Sequence, residues 1–394
     1  MDIPAAALRP QGMGLLENDI RLIIFLVVDF KSIPNLALTS KAWTTTYAAH
    51  RTYIHRYCLR GVIGEENMSI AFARYAASQL TWTPSPIRGF SKSCSLEELP
   101  VKLQEFGNKY LVPGALMPSD IDHKMARGMI HFHTHVRNWS SNFGYLSRES
   151  WTDRLWDFES LALNNQEISR FENSVYILEI LRLLFPVYLE DDREEDREIF
   201  TALCHFFAPW QLHIIKEIEN NMIELCPDWY LSEFTDNNVV SDVSAFEAIF
   251  SSLGVEGISE NRVHGVLKCQ SLVEDMLRAE NRQIFALTPR HEYQPPLGTL
   301  SWLFEKDTLH QIQRADIEEL LSKYPEDDTG PADCWLYQQT LSVALCAKLP
   351  SPLYMISPRI CDRKTLEHRF GGSFPSRSEL IDNLDGAQVV DRNY

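Results

Sequence analysis

The stretch LLENDIRLIIFLVVDFKSIPNLALTSKAW, residues 15–43, decides how this chain is read, because it concentrates apolar side chains near the start of the sequence. Its longest uninterrupted apolar run, Leu22 to Val28, falls far short of the ~20 residues a bilayer span requires. Glu17 and Asp19 put acids where a helix start favours them. Ile20 to Val28 is then apolar almost all round, so this helix must be covered on several sides. The hexapeptide DFKSIP interrupts it, with Ser32 suited to cap the next helix and Pro34 to its first turn. Leu36, Leu38, Ala42 and Trp43 follow at helical positions, and TTTYAAHRTYIHRYCL (44–59) continues through Tyr47, Ile54, Tyr57 and Cys58. The expectation is three closely connected helices with more apolar surface than they can bury among themselves. A unit of ~40 to 60 residues seldom stabilises itself, so something else has to cover it.

Helical spacing dominates the rest of the chain as well. Met129, Phe132, Val136, Trp139 and Phe143 form one stripe, and Phe171, Val175, Leu178, Leu181 and Phe185 form another that Pro186 ends. REIFTALCHFFAPWQLHIIKEIENNMIEL (197–225) reads as two helical pieces meeting at Ala208-Pro209, VSAFEAIFSSLG stops at Gly254, and residues 259–287 suit another long helix. Alternating β-branched runs are nearly absent and no Asn-Gly or Asp-Gly turn joins two of them, so the fold class is all-α. Breaks rich in Pro, Gly or Ser fall at Thr81 to Ser95, Leu287 to Gly298 and Tyr324 to Cys334. The acidic run from Glu190 to Glu198 reads as a solvated loop feeding a helix start. This gives a disordered N-terminus over 1–14, a helical head over 15–60, a larger irregular helical body over 61–370 and a flexible tail over 371–394. Only a possible turn at Glu379 to Leu384 relieves that tail.

Lys and Arg number 37 against 54 Asp and Glu, for a net charge of −17. That sign repels phosphate backbones and anionic lipid heads, which argues against nucleic acid and membranes as partners. The eight cysteines form no Cys-x-x-Cys pair, and the start of the sequence lacks the pattern of a secretory signal, so reduced thiols and a cytoplasmic or nuclear location are expected.

At this point the opening stretch resembles the F-box motif: an Ile/Leu-rich helix, an acidic-basic turn, a leucine pair and the ending Ser40-Lys41-Ala42-Trp43. Together with TALCHFFAPWQLHIIKEIEN and LGTLSWLFEKDTL, it is similar to a group of F-box-like proteins of filamentous fungi, in which a helical body holds a Phe-x-Pro-Trp corner, here Phe207 to Trp210. The resemblance implies docking to a Skp-type adaptor of a cullin–RING ubiquitin ligase, with the body recruiting a protein substrate of unknown identity. Leu15, Leu16, Ile20, Ile23, Ile33, Leu36 and Trp43 match the motif's contact or framework positions. Leu16 stands where the motif usually has proline, and Asp19-Ile20 where it has glutamate followed by Ile or Leu. Two alternatives stay open: a stand-alone helical scaffold whose F-box-like segment is internal core, and an enzyme whose site is assembled from residues far apart in sequence.

No catalytic signature points to an enzyme or a cofactor. Phosphate-binding glycine loops and a Gly-x-Ser-x-Gly elbow are missing. Asp120 and Asp122 read as a helix start. In HFHTH, helical spacing sets His131 and His135 on one flank and His133 on the other. That leaves at most an i, i+4 pair needing a third ligand from elsewhere, and the expectation is boundary histidines with no metal. Asn67 and Asn138 fit the N-glycosylation pattern without a secretory context. Trp82, Trp151, Trp156, Trp229 and Trp302 are more simply packing corners than a recognition groove.

Overall fold

A computed structural model describes residues 16–82, 98–112, 114–115, 118–149, 163–184, 203–212, 214–215, 218, 254–256, 314–324, 328–340, 360–369, 371–372 and 374–382. The described residues are helical with no strand, in keeping with an all-α class. In the head, α1 (Asn18–Val27) leads through a 3₁₀ turn (Phe30–Ser32) into α2 (Ile33–Ala37), and α3 (Lys41–Ile63) follows. The body contains α4 (Met68–Ser78), α5 (Leu99–Tyr110), α6 (His123–Glu149), α7 (Asn165–Leu184), α8 (Arg314–Lys323), α9 (Gly330–Thr340) and α10 (Arg363–Arg369).

The break between α1 and α2 works differently from the sequence expectation. Pro34 sits in the first turn of α2 as expected, but Ser32 makes no side-chain cap. Asp29 instead accepts the Ser32 N–H at 3.0 Å and the Ser32 hydroxyl at 2.6 Å, closing the 3₁₀ turn. These hydrogen bonds, with that of the hydroxyl foremost, hold the exposed Asp29 carboxyl below its ordinary range. Ser40, in extended backbone, then separates α2 from α3.

Among the described residues, three apolar clusters are formed. The head has its own small core of Phe25, Ile33, Ala37, Trp43 and Ile54, with the Phe25 ring set edge-on to Trp43 at 5.3 Å. The largest cluster surrounds α7, which is buried on nearly all sides although the sequence suggested a single stripe. Met129, Phe132, Val136 and Trp139 of α6 face it as their spacing requires. Phe143 and Phe185 lie outside the described side chains.

The third cluster joins Ile317 of α8, Trp335 and Leu336 of α9, and Leu366 of α10 to Phe374, Leu380 and Ile381. Residues 371–394 were expected to form a flexible tail, yet Phe374, Leu380 and Ile381 are buried and residues 377–382 are helical. The polar composition of this segment hid three apolar residues spaced to enter a core. The Phe-x-Pro-Trp corner joins two clusters: Phe207 enters the α7 core and Trp210 the third, where it lies 6.0 Å from Trp335.

Head and body share a helix. Ile54 belongs to the head core, while Leu59 and Ile63 of the same α3 belong to the α7 core, so the boundary expected at residue 60 falls inside one element. Residues 118–123 lie against the middle of α3. Arg51 Nη2 donates to both oxygens of Asp120 at 2.7 and 2.6 Å, Thr52 donates to the same carboxylate, and Arg56 donates to the Pro118 carbonyl. His55 Nδ1 lies 2.7 Å from the Ile121 carbonyl, which can only accept. That nitrogen therefore carries the proton, and Nε2 accepts from the Tyr47 hydroxyl at 3.0 Å. Phe30 stacks on His123 at 4.7 Å, completing the seam.

Candidate docking face

The face begins with the phase of α1. Phe25 is fully buried against Trp43 and Tyr47, which fixes the side of the helix turned inward. Arg21, on the flank near Phe25, donates its Nε to Thr46 Oγ1 at 2.9 Å and its Nη1 to the Leu16 carbonyl. Thr46 in turn donates to Asn18 Oδ1 at 2.8 Å, so polar contacts reinforce the apolar seating of α1 on α3. Residues three and seven apart share a helix face, which places Ile20, Ile23 and Val27 together on the opposite side. They are 43%, 54% and 75% exposed. Leu38, just past α2, is 79% exposed.

The seven residues assigned to partner binding therefore divide. Ile20 and Ile23 lie on the exposed face of α1. Ile33 and Trp43 are buried in the head core, so theirs are framework positions. Leu16 and Leu36 are half-buried against that core, and Leu15 lies outside the described residues. Val27 and Leu38 were missed as exposed positions. Val27 was legible, since it stands seven residues after Ile20, but motif matching had passed over helical phase. Helical spacing predicts Leu38 inside a helix, but α2 ends at Ala37 and leaves Leu38 at its C-cap.

The other candidate residues fall into place around this frame. Asp122 Oδ1 accepts the Met125 N–H at 2.7 Å and caps α6, as a helix-start acid should. His133 turns inward, with Nδ1 3.0 Å from the Tyr176 hydroxyl, and burial above all lowers its pKa to about 4. His131 and His135 stay on the other flank, their rings 4.9 Å apart, and Glu256 comes to meet them. Asn67 is buried and donates Nδ2 to Glu172 at 3.0 Å, so its amide is closed to glycosylation in the folded chain. Trp82 packs on the α7 core, and the other four tryptophans proposed for a groove lie outside the described residues. The acidic run at 190–198 also lies outside them.

Cys58, Cys204, Cys334 and Cys361 are thiols rather than disulfides. Burial raises the pKa of Cys204 well above its ordinary value. Among the described residues no helix is long and apolar enough to cross a membrane. Compared with models of protein families, with curated proteins and with solved structures, the chain matches none.

Proposed function

We propose that the head is an F-box-like docking unit that presents the outer face of α1 to a Skp-type adaptor, and that the body is the substrate-recruiting part of a cullin–RING ubiquitin ligase. On this reading the chain is a non-catalytic subunit, and its location is cytoplasmic or nuclear. The observation that carries the reading is the exposure of Ile20, Ile23 and Val27 along one side of a helix whose other side is already buried. Burying an Ile or Val side chain contributes roughly 1.5 to 3 kcal/mol. A row of them left in water is a surface suited to a partner helix or groove. The adaptor is named on the resemblance of residues 15–43 to the F-box motif. The occupant also fits the head's construction: Phe25, Ile33 and Trp43 complete an internal core without drawing on these three residues.

The seam between head and body supports the idea of a fixed mount. With α3 shared between two cores and Asp120 gripped by Arg51 and Thr52, a bound adaptor would hold the body in one orientation. The same seam suits the alternative of a stand-alone scaffold, so the discriminating experiment must read the outer face. Co-expression of the full chain with a Skp-type adaptor is expected to yield a complex that survives purification. Recovery of the chain as a folded species that leaves the adaptor behind would favour the scaffold.

A further inference from the structure

We infer that His131, His135 and Glu256 form a binding site for one divalent transition-metal ion of the zinc class. His131 and His135 stand one helical turn apart on α6, where i, i+4 spacing brings side chains onto one flank. Their rings meet edge-to-face at 4.9 Å. Glu256 approaches from a distant part of the chain, with Oε1 2.9 Å from His131 Nε2. One ligand atom from each of the three residues lies within 4.8 Å of the others. A tetrahedral zinc ion with bonds of ~2.0 to 2.2 Å holds its ligand atoms about 3.3 Å apart, so closure needs the widest pair to draw together by up to about 1.5 Å. His131 and Glu256 are only partly buried, with side chains 55% and 36% exposed, and can turn that far.

The third ligand is held where it is needed. Val255 is fully buried, and its N–H donates to the buried Glu179 at 3.1 Å. Its carbonyl lies 3.5 Å from Trp139 Nε1 of α6. Gly254 has φ +67° and lies against the Arg182 guanidinium, where a Cβ would come within 2.7 Å of Nε. These contacts fix residues 254–256 against α6 and α7. The second oxygen of Glu256 lies 3.8 Å from Arg74, whose guanidinium also sits 3.6 Å over the Phe132 ring. Arg74 can therefore orient the carboxylate while Oε1 faces the imidazoles, as outer-shell partners of metal ligands do. Two imidazoles and one carboxylate suit zinc and its neighbours, whereas magnesium and calcium prefer oxygen alone. Three protein ligands leave the fourth position to water. Bound metal would tie residues 254–256 to α6, independently of any adaptor on the head.

Cobalt(II) titration of the full-length, chelator-treated chain tests the site. The expected result is one cobalt per chain, with visible absorption of a tetrahedral nitrogen–oxygen site and displacement by zinc. His131→Ala and Glu256→Gln, at partly exposed positions, should each weaken binding at least about tenfold while circular dichroism stays unchanged. Absorption that carries thiolate charge transfer, absorption equal in wild type and both variants, or no saturable absorption would overturn the proposal.

Discussion

At the scale of single residues, the clearest consequences come from polar groups inside the α7 core. His133 is buried and neutral, with its pKa lowered to about 4 chiefly by burial and further by Arg137. In the unfolded chain it regains a value near 6.5 and takes up a proton first. Its contribution to stability is therefore complete above about pH 6.5 and is lost as pH falls toward 4. Urea unfolding at pH 7 and pH 4.5 should show this as roughly 2 to 3 kcal/mol of extra acid destabilisation, which His133→Gln removes. Glu172 presents the opposite case, since burial raises its pKa while Asn67 and Ser140 donate to it. Its charge therefore costs stability progressively as pH rises from the ordinary carboxyl range through that raised value, and the cost is complete above it. Asn67 Oδ1 is buried without a hydrogen-bond partner, and a glutamine amide at position 172 could supply one. Glu172→Gln should therefore stabilise the protein by about 1 kcal/mol at pH 7, measured as a higher urea midpoint. Neither environment was legible from sequence, because the partners of His133 and Glu172 come from residues remote in sequence.

At the scale of elements, the periodicity of apolar residues identified α6 and α7 correctly and fixed the inward face of α6. It did not reveal that α7 is central. Glu167, Glu172 and Glu179 look like solvent positions until their partners are seen. Glu179 is the sharpest example: burial alone would raise its pKa, but Arg182, Arg74 and the Val255 N–H together lower it. Short elements were harder to place, because Asp29 rather than Ser32 controls the entry to α2. The two faces of α1 should respond to mutation very differently. Phe25→Ala removes a fully buried ring and should cost about 3 to 5 kcal/mol, whereas Ile23→Asp should shift stability by less than about 1 kcal/mol. Thermal unfolding of the two variants checks the assignment. Gly330, at the start of α9, makes a similar test of the third cluster. A Cβ there would lie 2.4 Å from the Cys361 carbonyl oxygen and 2.6 Å from the Arg363 nitrogen, both backbone atoms with little freedom to move. Gly330→Ala should destabilise by about 1 to 3 kcal/mol in the same assay.

At the scale of the whole molecule, a head with its own core is carried on a helix that continues into the body, and Asp333, Arg363 and Arg377 brace the third cluster. Arg363 Nη1 and Arg377 Nε donate to the two oxygens of the buried Asp333 at 3.1 and 2.6 Å, linking α9, α10 and the C-terminal segment. The all-α class and the apolar head were visible in the sequence because they rest on local spacing. The seam at residues 118–123, the corner shared between two cores and the meeting of His131 with Glu256 were not, because each joins residues remote in sequence. The exposed face of α1 lies between these cases: Ile20 and Ile23 were identified by motif, and Val27 follows once the helix phase is known. The most direct measurement is the affinity of a purified Skp-type adaptor for the full-length chain, compared with its affinity for the Ile20→Asp, Ile23→Asp, Val27→Asp triple variant. Saturable 1:1 binding is expected, weakening more than about 100-fold in the variant while its helical signal and melting temperature are retained. No binding to the wild type, or equal binding to both proteins, would contradict it.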